Sequence, residues 1–350
     1  MSGLFQKKGG LLTLLCASAL ACALSTPAAA GPWNTDLKFK SNKTFKIVQF
    51  TDTQDDQNID PRTVALIEAV LDNEQPDLVV FTGDNITGGP KSVDDVKKAI
   101  DNFTQPVIDR AIPWIITFGN HDEESGKMDE TAMLGYYMSL PFNMNEKSST
   151  RVNGAGNMNL LIRNSQGTKP VFGVWALDSG RYAPSNINGQ SRSADGLPGW
   201  DWIRPSQIAW YTDSSEKIEK SYGAKVPSLM FFHIPLWEFA DMWTYKENHS
   251  VVGERNETEC PGPFNSGLFA ALLERGDVKG VFVGHDHVNT YVGNYFGIFL
   301  GYSGSAGFGT YGLGGAENNR LRGARVFNLS ENDLSTFETH MVFATDYGIQ

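Results

Sequence analysis

The stretch VFVGHDH, residues 281–287, decides how this chain is read. An apolar β-rich run stops at a glycine, and two histidines follow with an aspartate between them. Imidazoles at i and i+2 beyond a buried strand are costly unless they are hydrogen-bonded or hold a metal ion. The same grammar recurs along the chain. Asp52 and Gln54 follow the strand predicted at Phe45–Thr51, and Gly83-Asp84 follows Leu78–Thr82. Gly119-Asn120-His121-Asp122 follows Trp114–Phe118, and His233 follows Ser228–Phe232. Singly, each residue has an ordinary reading: an Asp after a strand caps a helix or turn, and a lone His sits satisfied in a core. Jointly they do not. Four of the six histidines fall at these strand ends, and only His249 and His340 lie elsewhere.

The elements between these ends set the fold class. Pro61–Asn73 and Val93–Phe103 read as amphipathic helices between the first three strands, a β-α-β-α-β order that predicts an α/β fold with largely parallel strands. Glu123–Pro170 loosens into a helix and a hairpin, expected as an insertion over the sheet edge. Strands resume at Val171–Leu177, Ser228–Phe232 and Gly280–Val283, with helices predicted at Pro205–Lys220 and Asn265–Glu274. The Gly- and aromatic-rich tail after Val288 reads as an antiparallel meander closing a second sheet. In open α/β sheets, ligands bind beyond the carboxyl ends of the strands, so this order gathers Asp, Asn and His side chains at one rim.

Residues 1–30 have a different character. Lys7 and Lys8 precede an apolar run from Leu11 to Leu24, and Ser25–Ala30 ends in small residues. This is the pattern of a secretory signal peptide cleaved near Ala30, and the run falls short of the roughly 20 residues a membrane span needs. The expectation is a secreted or periplasmic protein with one domain over 31–350. Two of the 29 basic residues lie in 1–30, leaving 27 against 40 acidic residues. That balance disfavours nucleic acid and anionic membranes as partners, and an anionic substrate then needs a local positive feature such as a metal. Cys16 and Cys22 fall in the same segment, so Cys260 stands without an intrachain disulfide partner in 31–350.

The ordered motifs resemble those of the calcineurin-like metallophosphoesterases. FTGDNITGG (81–89), FGNHDEES (118–125), GWDWIRPSQIAW (199–210), FFHIPLWEF (231–239) and GYSGSAGFGTYG (301–312) resemble the purple-acid-phosphatase-like branch of plants and fungi. The similarity runs from about Lys46 to Val326. It implies a four-layer α/β/β/α sandwich with two mixed sheets and two metal ions, Fe, Mn or Zn, in one site. By resemblance, Asp84 bridges the ions, Asp52 and His287 complete one shell, and Asn120, His233 and His285 complete the other. Two cations ~3.5–4 Å apart share a carboxylate and a water, lower the water's pKa and hold phosphate oxygens for in-line attack. By the same resemblance His121 is not a ligand: it protonates the leaving alkoxide or stabilises charge on the phosphoryl group, oriented by Asp122.

Gln54 stands where most of this superfamily has a histidine ligand, and Thr87 where the purple enzymes have a tyrosine. Gln54 is expected to ligate through its amide oxygen or to hold a water, against the alternative of a decayed site. Tyr182, Tyr245 and His249 are candidate pocket residues. The glycine-rich run 304–315 lacks the strand–loop–helix setting of a nucleotide loop. The expected activity is metal-dependent hydrolysis of small phosphate monoesters. The alternatives are a diesterase acting on cyclic nucleotides or phospholipid head groups, and a non-catalytic metal- or phosphate-binding homologue.

Overall fold

The computed structural model describes residues 36–350, so the expected signal segment lies outside the described residues. The chain runs β1 (Thr44–Phe50), α1 (Pro61–Glu74), β2 (Leu78–Thr82), α2 (Val93–Asp109), β3 (Trp114–Thr117), α3 (Glu130–Tyr137), β4 (Met158–Arg163) and β5 (Pro170–Ala176). It continues with β6 (Asn186–Ile187), β7 (Gln190–Ser191), α4 (Pro205–Tyr222), β8 (Ser228–Phe231), α5 (Trp237–Thr244), α6 (Leu268–Arg275) and β9 (Val278–Val283). The hairpins β10 (Val292–Tyr295)–β11 (Ile298–Tyr302) and β12 (Gly323–Ser330)–β13 (Asp333–Phe343) complete it.

Two mixed sheets result. One has the order β13-β12-β1-β2-β3, the other β10-β11-β9-β8-β5-β4. Strands β1, β2 and β3 are parallel, with Ile47 opposite Leu78 and Phe81 opposite Ile116. Strands β5, β8, β9 and β11 are also parallel neighbours. Such strands are buried on both faces and read as continuous apolar runs. Alternation along β1 sends Ile47 towards the second sheet and Val48 and Phe50 towards the helices. Three cores follow. One packs β-strands on α1, α2 and α3 through Leu66, Ile100 and Met133. One lies between the sheets, with Phe231, Phe282 and Phe327 in edge-to-face contact. One packs the second sheet on α4, α5 and α6 through Tyr211, Phe239 and Leu272. These are the four layers predicted. Truncating Phe282 at the junction of the sheets would cost on the order of 3–5 kcal/mol.

The tail divides differently from the expectation. Only β10 and β11 join the second sheet, whereas β12 pairs antiparallel with β1 and extends the first. Val326 and Phe327 bury on opposite faces, which a sheet sandwiched between layers requires. The segment 123–170 is likewise no mere cover, since its strand β4 pairs antiparallel with β5 and forms the edge of the second sheet. Helix α2 runs on to Asp109 through Pro106, because Phe103, Pro106 and Val107 are all buried. Helix α6 begins at Leu268 because Gly267 takes a left-handed conformation at its N-cap.

Candidate metal centre

Strands β1, β2, β3, β8 and β9 end at one rim, and their loops are tied together by backbone bonds. Asp52 N donates to Gly83 O, Gly284 N to His233 O, and His285 N to Asp52 Oδ2. Glycines allow the loops to approach this closely. A Cβ on Gly119 would lie 2.3 Å from Asp84 N, and one on Gly284 1.9 Å from Thr51 Oγ1. The backbone strain falls on the functional residues themselves: Asp52 (φ 50°), Gln54 (φ 36°), Asp84 (φ 47°) and His285 (φ 73°) are all left-handed. Each such residue costs on the order of 1–3 kcal/mol, a cost retained where surrounding structure imposes it.

The predicted ligands converge. His233 Nδ1 meets Thr82 O at 2.9 Å, which places the proton there. That leaves Nε2 3.1 Å from Asp84 Oδ2, 3.2 Å from Asn120 Oδ1 and 3.3 Å from His285 Nδ1. His287 Nδ1 meets Tyr311 O at 3.2 Å, turning Nε2 to within 3.2 Å of Asp52 Oδ1. Asp84, His233 and His285 form one set of donor atoms within 4.8 Å of one another, and Asp52, Asp84 and His287 form another. Asp84 belongs to both, as the bridging position requires.

These residues fit a cation pair. Asp52 Oδ1 is buried, faces an imidazole nitrogen, and still makes no hydrogen bond, which is how two ligands of a common ion sit. Burial opposes charge on the His233 ring, but the Asp84 carboxylate outweighs it and lifts the ring to about 10. Burial likewise opposes ionisation of Asp84, and the adjacent His233 nonetheless holds its carboxyl well below the usual range. Burial and the charge of His233 push His285 down to about 3. The buried carboxylates therefore call for positive charge at their centre. Carboxylate, amide and imidazole donors together suit Mn, Fe or Zn.

His121 lies at the mouth, with Nε2 3.9 Å from Asp84 Oδ2. Its expected partner is corrected by the geometry. Asp122 accepts the backbone amides of Gly119, Asn85 and Ile86 at 2.7, 3.0 and 3.1 Å, stapling the β2 and β3 loops. Burial and the charge of Asp84 push Asp122 up to about 7. The carboxylate that meets His121 is Glu124, whose Oε2 lies 2.7 Å from Nδ1 and whose Oε1 accepts the Tyr182 hydroxyl. The three-residue spacing around a tight turn after Asn120 was the available signal for Glu124, but adjacency favoured Asp122.

Gln54 turns its amide oxygen to the Thr310 hydroxyl, and Thr310 Oγ1 lies 3.5 Å from His287 Nδ1. The glycine-rich run thus wraps the Asp52 loop: Ala306 N and Gly307 N donate to Thr51 O and Asp52 O, and the Tyr311 ring stacks on His287 at 3.9 Å. Tyr182 reaches Asn120 Nδ2 at 3.5 Å. Tyr245 and His249 instead line a separate cleft with Asn294 and Phe296. Sequence reasoning missed Trp200, whose ring packs edge-on to His285 at 4.5 Å. Beside the centre, Arg181, Tyr182, Glu130, Asp178 and Arg204 line a cleft of about 630 Å³.

A centre of this kind defines a metal-dependent phosphoesterase fold, and the comparisons agree. The chain belongs to the calcineurin-like phosphoesterase family, whose profile matches residues 45–289. It is 35% identical over 338 residues to the "Probable inactive purple acid phosphatase 29" of Arabidopsis thaliana, covering 88% of this chain and 82% of that one. It is 33% identical over 293 residues to "Phosphatase DCR2" of Saccharomyces cerevisiae, covering 80% of this chain and 48% of that protein. A crystal structure of a dimetal phosphatase from Danio rerio superposes with a TM-score of 0.53 at 13% identity, over 85% of this chain and 98% of that one. Among the described residues no helix is long and apolar enough to cross a membrane.

Proposed function

We propose that the chain is a dinuclear metal-dependent phosphatase that hydrolyses small phosphate monoesters. The observation that carries this reading is the shared Asp84, which joins the Asn120–His233–His285 set to the Asp52–His287 set. Bound there, two metal ions supply Lewis acidity to the phosphoryl oxygens and acidify a water. The protein's own part is to hold and aim. Thr82 O and Tyr311 O fix the tautomers of His233 and His287 so that Nε2 of each faces inward. Gln54 supports His287 through Thr310 rather than filling the place of a missing imidazole. Glu124 holds His121 by Nδ1 and frees Nε2 to donate a proton to the departing alkoxide.

Two observations bear on the alternatives. The name of the Arabidopsis relative, "Probable inactive purple acid phosphatase 29", favours a non-catalytic homologue. Against this, a chain that only bound phosphate would have no use for a proton donor held by its own carboxylate at the mouth. Parallel assays of the metal-loaded protein on p-nitrophenyl phosphate and its bis-ester test the proposal. Faster turnover of the monoester is expected. Preference for the bis-ester would assign a diesterase, and no turnover with Mn, Fe or Zn would assign a binding protein. Export is proposed on residues 1–30 alone, and N-terminal sequencing of the protein recovered outside the cytoplasm tests it.

A further inference from the structure

A second set of metal-ligating groups abuts the centre and shares His285 with it. Cys260 Sγ, a carboxylate oxygen of Asp286 and a ring nitrogen of His285 lie within 4.8 Å of one another. Asp286 is buried and anchored, since its Oδ2 accepts the Tyr302 hydroxyl at 2.7 Å and the Cys260 amide at 3.2 Å. Cys260 is half-buried, so a cation can reach it from solvent. The independent observation is at His285. Its Nδ1 faces His233 in the centre at 3.3 Å, whereas its Nε2 is buried with no hydrogen-bond partner. A buried polar atom without a partner is uncommon in a folded protein.

We propose that Cys260, Asp286 and His285 Nε2 form a site for a thiophilic divalent cation such as Zn²⁺ or Cd²⁺, beside the ion pair at Asp84 and sharing the His285 ring with it. Thiolate, imidazole and carboxylate are a zinc donor set, with the fourth position left to water. On binding, the Cys260 S–H bond breaks, its proton passes to solvent, and the sulfur lone pair forms the bond to the cation. A neutral imidazole carries one lone pair. His285 therefore serves the Asp84–His233 set with its proton on Nε2, or the Cys260–Asp286 set with its proton on Nδ1. The two sites compete for one ring, and occupation of the outer one withdraws a ligand from the inner one. Excess thiophilic cation is then inhibitory through Cys260, which the Asp84 centre does not use.

Cadmium titration of the purified full-length chain under reducing conditions tests this, because a cadmium–thiolate bond has an ultraviolet charge-transfer absorption. Wild type should show a saturable band that Cys260→Ser lacks, and the difference removes any contribution of Cys16 and Cys22. Asp286→Asn should keep the band but weaken binding by about 10-fold or more, the scale known for altered metal surroundings. Zinc should inhibit metal-loaded wild type in excess and inhibit Cys260→Ser at least about 10-fold less effectively. Circular dichroism confirms that both variants are folded. The site is refuted by superposable cadmium titrations of wild type and Cys260→Ser. It is also refuted if Asp286→Asn binds as tightly as wild type, which would leave the thiol acting alone. The absorption reads the site whether or not the chain proves to be a phosphatase.

Discussion

Removing the Glu124 carboxylate should expose how much of the proton transfer depends on holding His121. In Glu124→Ala the imidazole loses its 2.7 Å contact at Nδ1, and Tyr182 loses the acceptor for its hydroxyl. A charge-assisted hydrogen bond is worth about 1.5–3 kcal/mol, which corresponds to roughly 10- to 150-fold in rate. His121 and Glu124 are 31% and 32% exposed, so water replaces part of the contact. The expected loss in kcat is accordingly at the low end, roughly 10- to 30-fold. It should appear with alkyl phosphates, whose leaving groups need a proton, and be nearly absent with p-nitrophenyl phosphate. Glu124→Gln keeps an acceptor without the charge and should fall between. Metal content should stay at the wild-type level in both variants. Equal losses on the two substrates, or a loss of metal, would show that Glu124 supports the centre itself and not the proton donor.

Asp84→Ala should abolish metal retention and turnover together. A variant that still retains metal would rule out the bridging role. Gln54→Ala should weaken one of two metal-binding steps about 10- to 100-fold in isothermal titration and spare the other, and identical isotherms for wild type and variant would show that the Gln54–Thr310 contact does not reach the metals. Glu130 is pushed up to about 9 by burial and by the charge of Asp178, so the folded state holds a proton there that the unfolded chain releases near 4.5. Stability from this group is therefore complete at low pH and is lost as pH rises towards about 9. Thermal melts should fall over that window and fall less in Glu130→Gln; parallel slopes would mean that the proton is not there.

How much was legible follows from what each signal depends on. The strands and helices of the first half were readable because β1, β2 and β3 are apolar runs separated by amphipathic helices, α1 and α2. The ligands were readable because each follows a strand directly, so its place along the chain is also its place at the rim. Those are local properties, and the sequence by itself determined them: an α/β sandwich, a rim of Asp, Asn and His residues, and a family. The tertiary structure decided the rest. Whether β12 joins the first sheet or the second depends on which strand edge is open, and that edge belongs to β1, nearly three hundred residues earlier. Whether Asp122 or Glu124 holds His121 depends on where the backbone amides of the β2 loop point, and they claim Asp122. What Gln54 does depends on Thr310, and which nitrogen of His285 is left over depends on His233. Hydrogen bonds between residues far apart in the chain carry no trace in local spacing, because they exist only once both sheets have packed.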